Sequence, residues 1–182
     1  MSTLPSHSRF AADRLLCLRT NAWCARNGVL KVFATVSRLG DGVAWYVLMA
    51  AMVLVDGMDG LRASAHMAAT GAIALLLYKA LKRWTRRPRP FAADVRIRAW
   101  IAPLDEFSFP SGHTLHAVSF TIVALAHYPQ LAWLLLPFTA MVALSRVVLG
   151  LHWPSDVLAA TAIGTVLGGG TLWLGQHLPG LS

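Results

Sequence analysis

Eight residues in three short polar clusters, each at the end of an apolar run, supply every group that a covalent phosphoryl-transfer site needs. The clusters are Lys82 with Arg89-Pro90, then Pro110-Ser111-Gly112-His113, then Ser145-Arg146 with His152 and Asp156, and the eight are Lys82, Arg89, Ser111, Gly112, His113, Arg146, His152 and Asp156. Lys82, Arg89 and Arg146 form a cationic clamp for a group carrying nearly two negative charges, whose oxygens change charge in the transition state. His152 precedes Asp156 by four residues, with Pro154 suited to the first turn of a helix. A carboxylate there reaches one ring nitrogen, fixes the tautomer and leaves the other nitrogen free to attack phosphorus. The plainer alternative makes Asp156 a helix cap and His152 an interfacial histidine. His113 stands at a helix start behind Ser111 and Gly112. Free backbone N–H groups and the Ser111 hydroxyl there cradle phosphoryl oxygens, and Gly112 permits close approach. His113 would protonate the leaving oxygen and then activate water. Alone, such a tripeptide is more often a cap than a site; the company of the other clusters changes that.

Charges near lipid are expensive, about 2.5–3.5 kcal/mol each at a helix centre, so clusters of this kind mark function by default. The chain has 182 residues, 56% apolar and 13% charged, which points to a single membrane-embedded domain over residues 1–182. Its net charge of +8 is crowded beside apolar spans instead of along a soluble basic face, so the expected partners are the bilayer and an anionic lipid phosphate, and not nucleic acid. Cys17 and Cys24 have no histidines at zinc-finger spacing and read as bystander thiols, with no metal site and no disulfide framework. No secretory leader is expected.

Five apolar stretches have about the length of a membrane-crossing helix: Val36–Val55, Ala63–Leu81, His113–Tyr128, Leu131–Leu149 and Asp156–Leu174. The expected fold is therefore an all-α polytopic bundle of about five transmembrane helices. The first stretch spans only if Arg38 and Asp41 lie at the interface. Residues 1–35 form an N-terminal amphipathic segment, in which Asp13–Arg26 lies along the surface; a sixth span there would bury several arginines. Residues 82–111 form the active-site loop. Asp56-Gly57-Met58-Asp59-Gly60 and Tyr128-Pro129-Gln130 are tight connections, so consecutive spans run antiparallel and the three clusters meet at one membrane face. Gly164 and Gly168 suit close helix approach. His116 reads as packing, His66 and His127 as interfacial, and the seven tryptophans mostly as an interfacial belt.

The order and spacing of the clusters carry a resemblance. Lys82, six residues, Arg89-Pro90; Pro110-Ser111-Gly112-His113; then Ser145-Arg146, five residues, His152, three residues, Asp156 resembles the complete signature of the type 2 phosphatidic acid phosphatase family, with no departure at any signature position. The surrounding helices are similar to those of its small bacterial membrane members. The resemblance implies that His152 is the nucleophile, Asp156 its orienter and His113 the acid/base, while Lys82, Arg89, Ser111, Gly112 and Arg146 bind phosphate without a metal or other cofactor. It implies a multi-pass inner-membrane lipid phosphatase working through a phosphohistidine. Its substrate would be a phosphomonoester or diphosphate of a lipid: phosphatidic acid, phosphatidylglycerol phosphate or a polyprenyl carrier such as undecaprenyl diphosphate. The nearest rival is a lipid phosphotransferase using the same phosphohistidine, and a further rival is a silent lipid-binding or transport protein. Most Lys and Arg flank the active-site face, which by the positive-inside rule would be cytoplasmic; the resemblance favours the periplasmic face. Neither the lipid tail nor the oligomeric state is written in these motifs.

Overall fold

Most helix starts and stops among the described residues lie at or near a proline or glycine. The computed structural model describes residues 11–177. Arg9, the first ten residues of the 1–35 segment and any leader signal lie outside the described residues. Helix α1 runs Ala11–Asn21, and one 3-10 turn, Ala22–Ala25, leads to α2, Asn27–Arg38. A five-residue π-wound segment, Leu39–Val43, joins α2 to α3, Ala44–Asp56. Gly57 turns the chain into α4, Met58–Thr85. After the short α5, Pro90–Ala93, an irregular stretch leads to α6, Gly112–His127. Helices α7, Ala132–Val148, and α8, Pro154–His177, complete the bundle, α8 starting on its proline as expected. Among the described residues there are no strands, and the fold is all-α.

Four helical segments are long and apolar enough to cross a membrane: Asn27–Asp56, Met58–Ala93, Pro129–Val148 and Pro154–His177. The protein is therefore a multi-pass membrane protein. The expected fifth span is α6, whose 16 residues cover about 24 Å at 1.5 Å per residue, short of the roughly 30 Å hydrocarbon core. It can be short because it is interior: α6 packs against α8, α4 and α7, and most of its residues are buried. Its closest neighbour is α8, and glycine makes that approach possible. A Cβ at Gly164 would lie 2.9 Å from the Leu115 carbonyl oxygen, and one at Gly168 would lie 3.1 Å from Ile122 side-chain atoms.

Three expectations change. The first span is longer than its apolar part suggested, because α2 continues through the π-wound segment into α3. Lys82 is not in a loop: α4 runs on to Thr85, and the irregular segment starts at Arg86, whose φ of 46° ends the helix in the left-handed region. Trp45 and Trp153 are buried instead of interfacial. Trp45 packs its ring against Phe120 and Phe138, and Trp153 donates its indole N–H to the Pro88 carbonyl at 3.0 Å. Trp84, Trp133 and Trp173 remain exposed as belt residues would be.

The N-terminal helix is docked on protein. Asp13 of α1 accepts from the Ser155 backbone N–H at 3.0 Å and from Arg87 Nη2 at 2.9 Å, and Asn21 bridges Arg98 and Val148. Cys17 and Cys24 are buried free thiols, and burial pushes the Cys17 thiol up to about 12. Both are core packing.

Candidate active site

The three clusters do meet. A cavity of about 740 Å³ opens between α3, α4, α6 and α7, and its polar end is lined by Lys82, Arg89, Gly112, His113, Arg146 and His152. Apolar side chains of α3 and α4, including Met49, Ala68 and Leu75, line its other side.

His152 lies in the short connection between α7 and α8 and is 2% exposed. Its Nδ1 is 2.6 Å from the Ser108 carbonyl oxygen, an acceptor, so Nδ1 carries the proton and Nε2 carries the lone pair. Asp156 Oδ2 is farther, 3.7 Å from Nδ1. The carboxylate is otherwise engaged: Oδ2 accepts from the Trp153 backbone N–H at 2.9 Å and Oδ1 from Arg87 Nη1 at 2.6 Å. Asp156 thus holds the start of α8 and stands beside the ring, while the imidazole Nδ1–H donates its direct hydrogen bond to the Ser108 carbonyl. Ser108 is itself fixed, its backbone N–H and hydroxyl donating to the Arg87 carbonyl. Burial, together with the charges of Arg146, Arg89 and Lys82, holds His152 well below the ordinary histidine value. At neutral pH the ring is neutral, the form a nucleophile needs.

The cations surround Nε2. Arg89 Nη1 is 3.4 Å from His152 Nε2 and donates to the Leu151 carbonyl at 2.7 Å. Pro88 and Pro90 bracket Arg89, whose extended backbone caps the start of α5 at the mouth of the irregular segment. Lys82 Nζ and Arg89 Nη2 both reach Asp105 Oδ1, each at 2.7 Å. Burial alone would raise the Asp105 carboxyl, but hydrogen bonds from Lys82 and Arg89 outweigh it and hold it below its ordinary range. Arg146, 2% exposed, donates through Nη1 to the Ser37 hydroxyl, and its Nε has no hydrogen-bond partner among the described residues. A buried guanidinium N–H left open beside a cavity is a donor ready for an anion.

His113, on the first turn of α6, has Nε2 3.2 Å from Asp41 Oδ1. Ser111 and Asp156 do not line the cavity. The Ser111 hydroxyl is buried against the Thr114 hydroxyl at 3.0 Å, so Ser111 contributes the start of α6 more than a donor of its own. A Cβ at Gly112 would meet the Tyr78 ring at 3.4 Å. His116, read as packing with a place in the site wall as the alternative, lines the cavity, with its nitrogens near the Gly112 and Gly71 carbonyls. Among the described residues no group of three or more His, Cys, Asp or Glu side chains is placed to hold a metal ion.

Three participants escape sequence reasoning. Ser108 acts through its backbone carbonyl, which leaves no sequence signal. Asp105 is one of few acids in a basic stretch, and that contrast was legible. Asp41 sits between two glycines inside an apolar run, and that placement was legible too.

With this geometry in view, the relatives are informative. The model of the PAP2 superfamily matches residues 63–178, which include all eight cluster residues. The chain belongs to the PAP2 superfamily. Among PAP2 proteins it is 33% identical over 152 residues to the decaprenylphosphoryl-5-phosphoribose phosphatase of Mycolicibacterium smegmatis, covering 80% of this chain and 79% of that one. It is 27% identical over 126 residues to the undecaprenyl-diphosphatase BcrC of Bacillus subtilis, covering 69% of this chain and 65% of the relative. It is 37% identical to the phosphatidylglycerophosphatase B of Escherichia coli K12 over 83 residues, 41% of this chain and 31% of the relative. Its fold is that of the PAP2-type phosphatidylglycerolphosphate phosphatase of Bacillus subtilis, with a TM-score of 0.75 at 22% identity, covering 98% and 91% of the two chains. It is equally similar to Aquifex aeolicus LpxE, with a TM-score of 0.74 at 23% identity over 90% and 94%.

Proposed function

We propose that this PAP2 protein is a membrane lipid phosphatase that cleaves a phosphomonoester or diphosphate of a lipid through a phosphohistidine on His152. One observation carries the reading: the Ser108 carbonyl accepts a hydrogen bond from Nδ1–H, leaving the Nε2 lone pair of His152 at a cavity lined by Lys82, Arg89 and Arg146. The clamp binds the phosphoryl oxygens, with the first-turn amides of α6 at Gly112 and His113 adding donors. Nε2 attacks phosphorus, His113 protonates the departing oxygen, and the same histidine then takes a proton from the water that releases phosphate. The apolar wall of α3 and α4 supports a lipid substrate, since a headgroup enters the polar end while the tail stays among apolar side chains. The phosphatase names of the relatives support the same class.

The test is a panel of phosphatidic acid, phosphatidylglycerol phosphate and undecaprenyl diphosphate in detergent micelles, read as released inorganic phosphate. Release from at least one lipid is expected. Phosphate appearing only on a second lipid would replace hydrolysis by transfer, and no release from any lipid would remove the reading.

The site is further read as facing the periplasm from the inner membrane. The basic residues of that face have duties within the protein: Arg14 and Arg96 pair with Asp94, Arg87 with Asp13 and Asp156, and Lys82 and Arg89 with Asp105. Their number therefore has a cause besides topology. Val95, on this face and 99% exposed, is the reporter, because both native thiols are buried. A membrane-impermeant maleimide should label Val95→Cys in intact spheroplasts; labelling only after lysis would reverse the orientation.

A further inference from the structure

An acid that serves a leaving oxygen must first hold its proton, and His113 shares its cavity with five cations, Lys79, Lys82, Arg83, Arg89 and Arg146. Each opposes a positive imidazole ring. One anion stands against that ring: Asp41 Oδ1, 3.2 Å from His113 Nε2. The placement is built into the backbone. Asp41 sits in the π-wound segment Leu39–Val43, where Gly42 takes a φ of 133°, a conformation open to glycine and strained for other residues. Such segments interrupt helices most often at functional sites. An aspartate within an apolar span is expensive unless a partner repays it. In a cavity whose cations gather anions, a carboxylate has the wrong sign for binding substrate and the right sign for facing a protonated histidine.

We propose that Asp41 is a positioning residue for the reaction, aiming His113 and balancing its imidazolium charge until the proton passes to the departing lipid oxygen. The inference rests on the reading of His113 as the acid. In the first step the His152 Nε2–phosphorus bond forms, the bond from phosphorus to the lipid oxygen breaks, and the His113 proton goes to that oxygen. In the second, the water oxygen bonds to phosphorus, the nitrogen–phosphorus bond breaks and a water proton returns to His113. Asp41 keeps its charge throughout.

The experiment compares Asp41→Asn, Asp41→Glu and His113→Ala on an alkyl phosphate, whose leaving oxygen needs a proton, and an aryl phosphate, whose leaving oxygen hardly does. General-acid contributions run from about a hundredfold upward, so Asp41→Asn should slow phosphoenzyme formation, read by rapid quench of the first turnover, at least about tenfold on the alkyl substrate. It should change that first-step rate on the aryl substrate less than about threefold and leave substrate affinity alone, with Asp41→Glu restoring part of the loss. An equal loss on both substrates, or no loss on the alkyl one, overturns the proposal. If His113→Ala shows the selective loss and Asp41→Asn does not, the Asp41 inference alone fails. If His113→Ala loses both equally, the acid assignment falls and takes the inference with it. Should Asp41→Asn not fold, Asp41→Glu must still show a loss confined to the alkyl substrate, or the proposal is overturned.

Discussion

Asp105 holds two of the cations that the proposed phosphoryl site would use, with Oδ1 at 2.7 Å from both Lys82 Nζ and Arg89 Nη2. An incoming phosphate must displace it, so neutralising Asp105 should tighten anion binding. The side chain is 39% exposed, so each contact is discounted for solvent screening to about 0.2–1 kcal/mol. Two contacts together make about 0.5–2 kcal/mol, which is a factor of roughly 2–30 in affinity. Asp105→Asn keeps the shape and removes the charge, so the inhibition constant of vanadate should fall by that factor. Stability should move the other way. Lys82 and Arg89 are both buried, and losing their counter-charge destabilises the empty protein by less than the roughly 3–5 kcal/mol of a fully buried broken pair. Thermal unfolding in detergent should therefore show a lower Tm for the empty variant and a larger gain on adding phosphate than in the parent. A vanadate constant that is unchanged or higher would refute the reasoning, because Asp105 would then assist the anion or stand clear of it.

Three further outcomes follow from named contacts. His152→Ala should abolish turnover with little change in Tm, and Asp156→Asn should lower kcat by a smaller factor, because the Ser108 carbonyl still sets the tautomer; steady-state kinetics beside thermal unfolding checks both. Gly164→Ala should destabilise by about 1–3 kcal/mol, since its Cβ would lie 2.9 Å from the Leu115 carbonyl, whereas Gly169→Ala meets open space and should be neutral or mildly stabilising; unfolding in detergent reads the difference. Hydrogen bonds from Arg96 and Arg14 hold the Asp94 carboxyl below its usual range, so its contribution to docking α1 is complete above the unfolded value of about 3.9 and is lost as pH falls below it. Hydrogen exchange in α1 should stay slow down to about pH 4 and quicken below it in the parent, and Asp94→Asn should remove that step.

Residue types and their spacing along the chain already determined much of this protein. Apolar length placed the spans, and the parity of antiparallel crossings put Lys82, His113 and His152 at one face, because a helix that crosses a bilayer must return on the other side. The glycines of α8 announced a close helix approach for an equally local reason, a missing side chain being missing in any fold, and the bundle made α6 the neighbour. Tertiary structure alone decided which groups touch. The Nδ1 partner of His152 is a backbone carbonyl 44 positions earlier in the chain, and no side-chain motif encodes a carbonyl's direction. Asp41 and Asp105 read as ordinary polar residues until the π-wound segment turns one toward His113 and the irregular stretch after α5 folds the other across Lys82 and Arg89. Sequence spacing governs contacts within a turn or two of a helix; contacts across the cavity depend on how long elements pack, and packing is a property of the whole bundle.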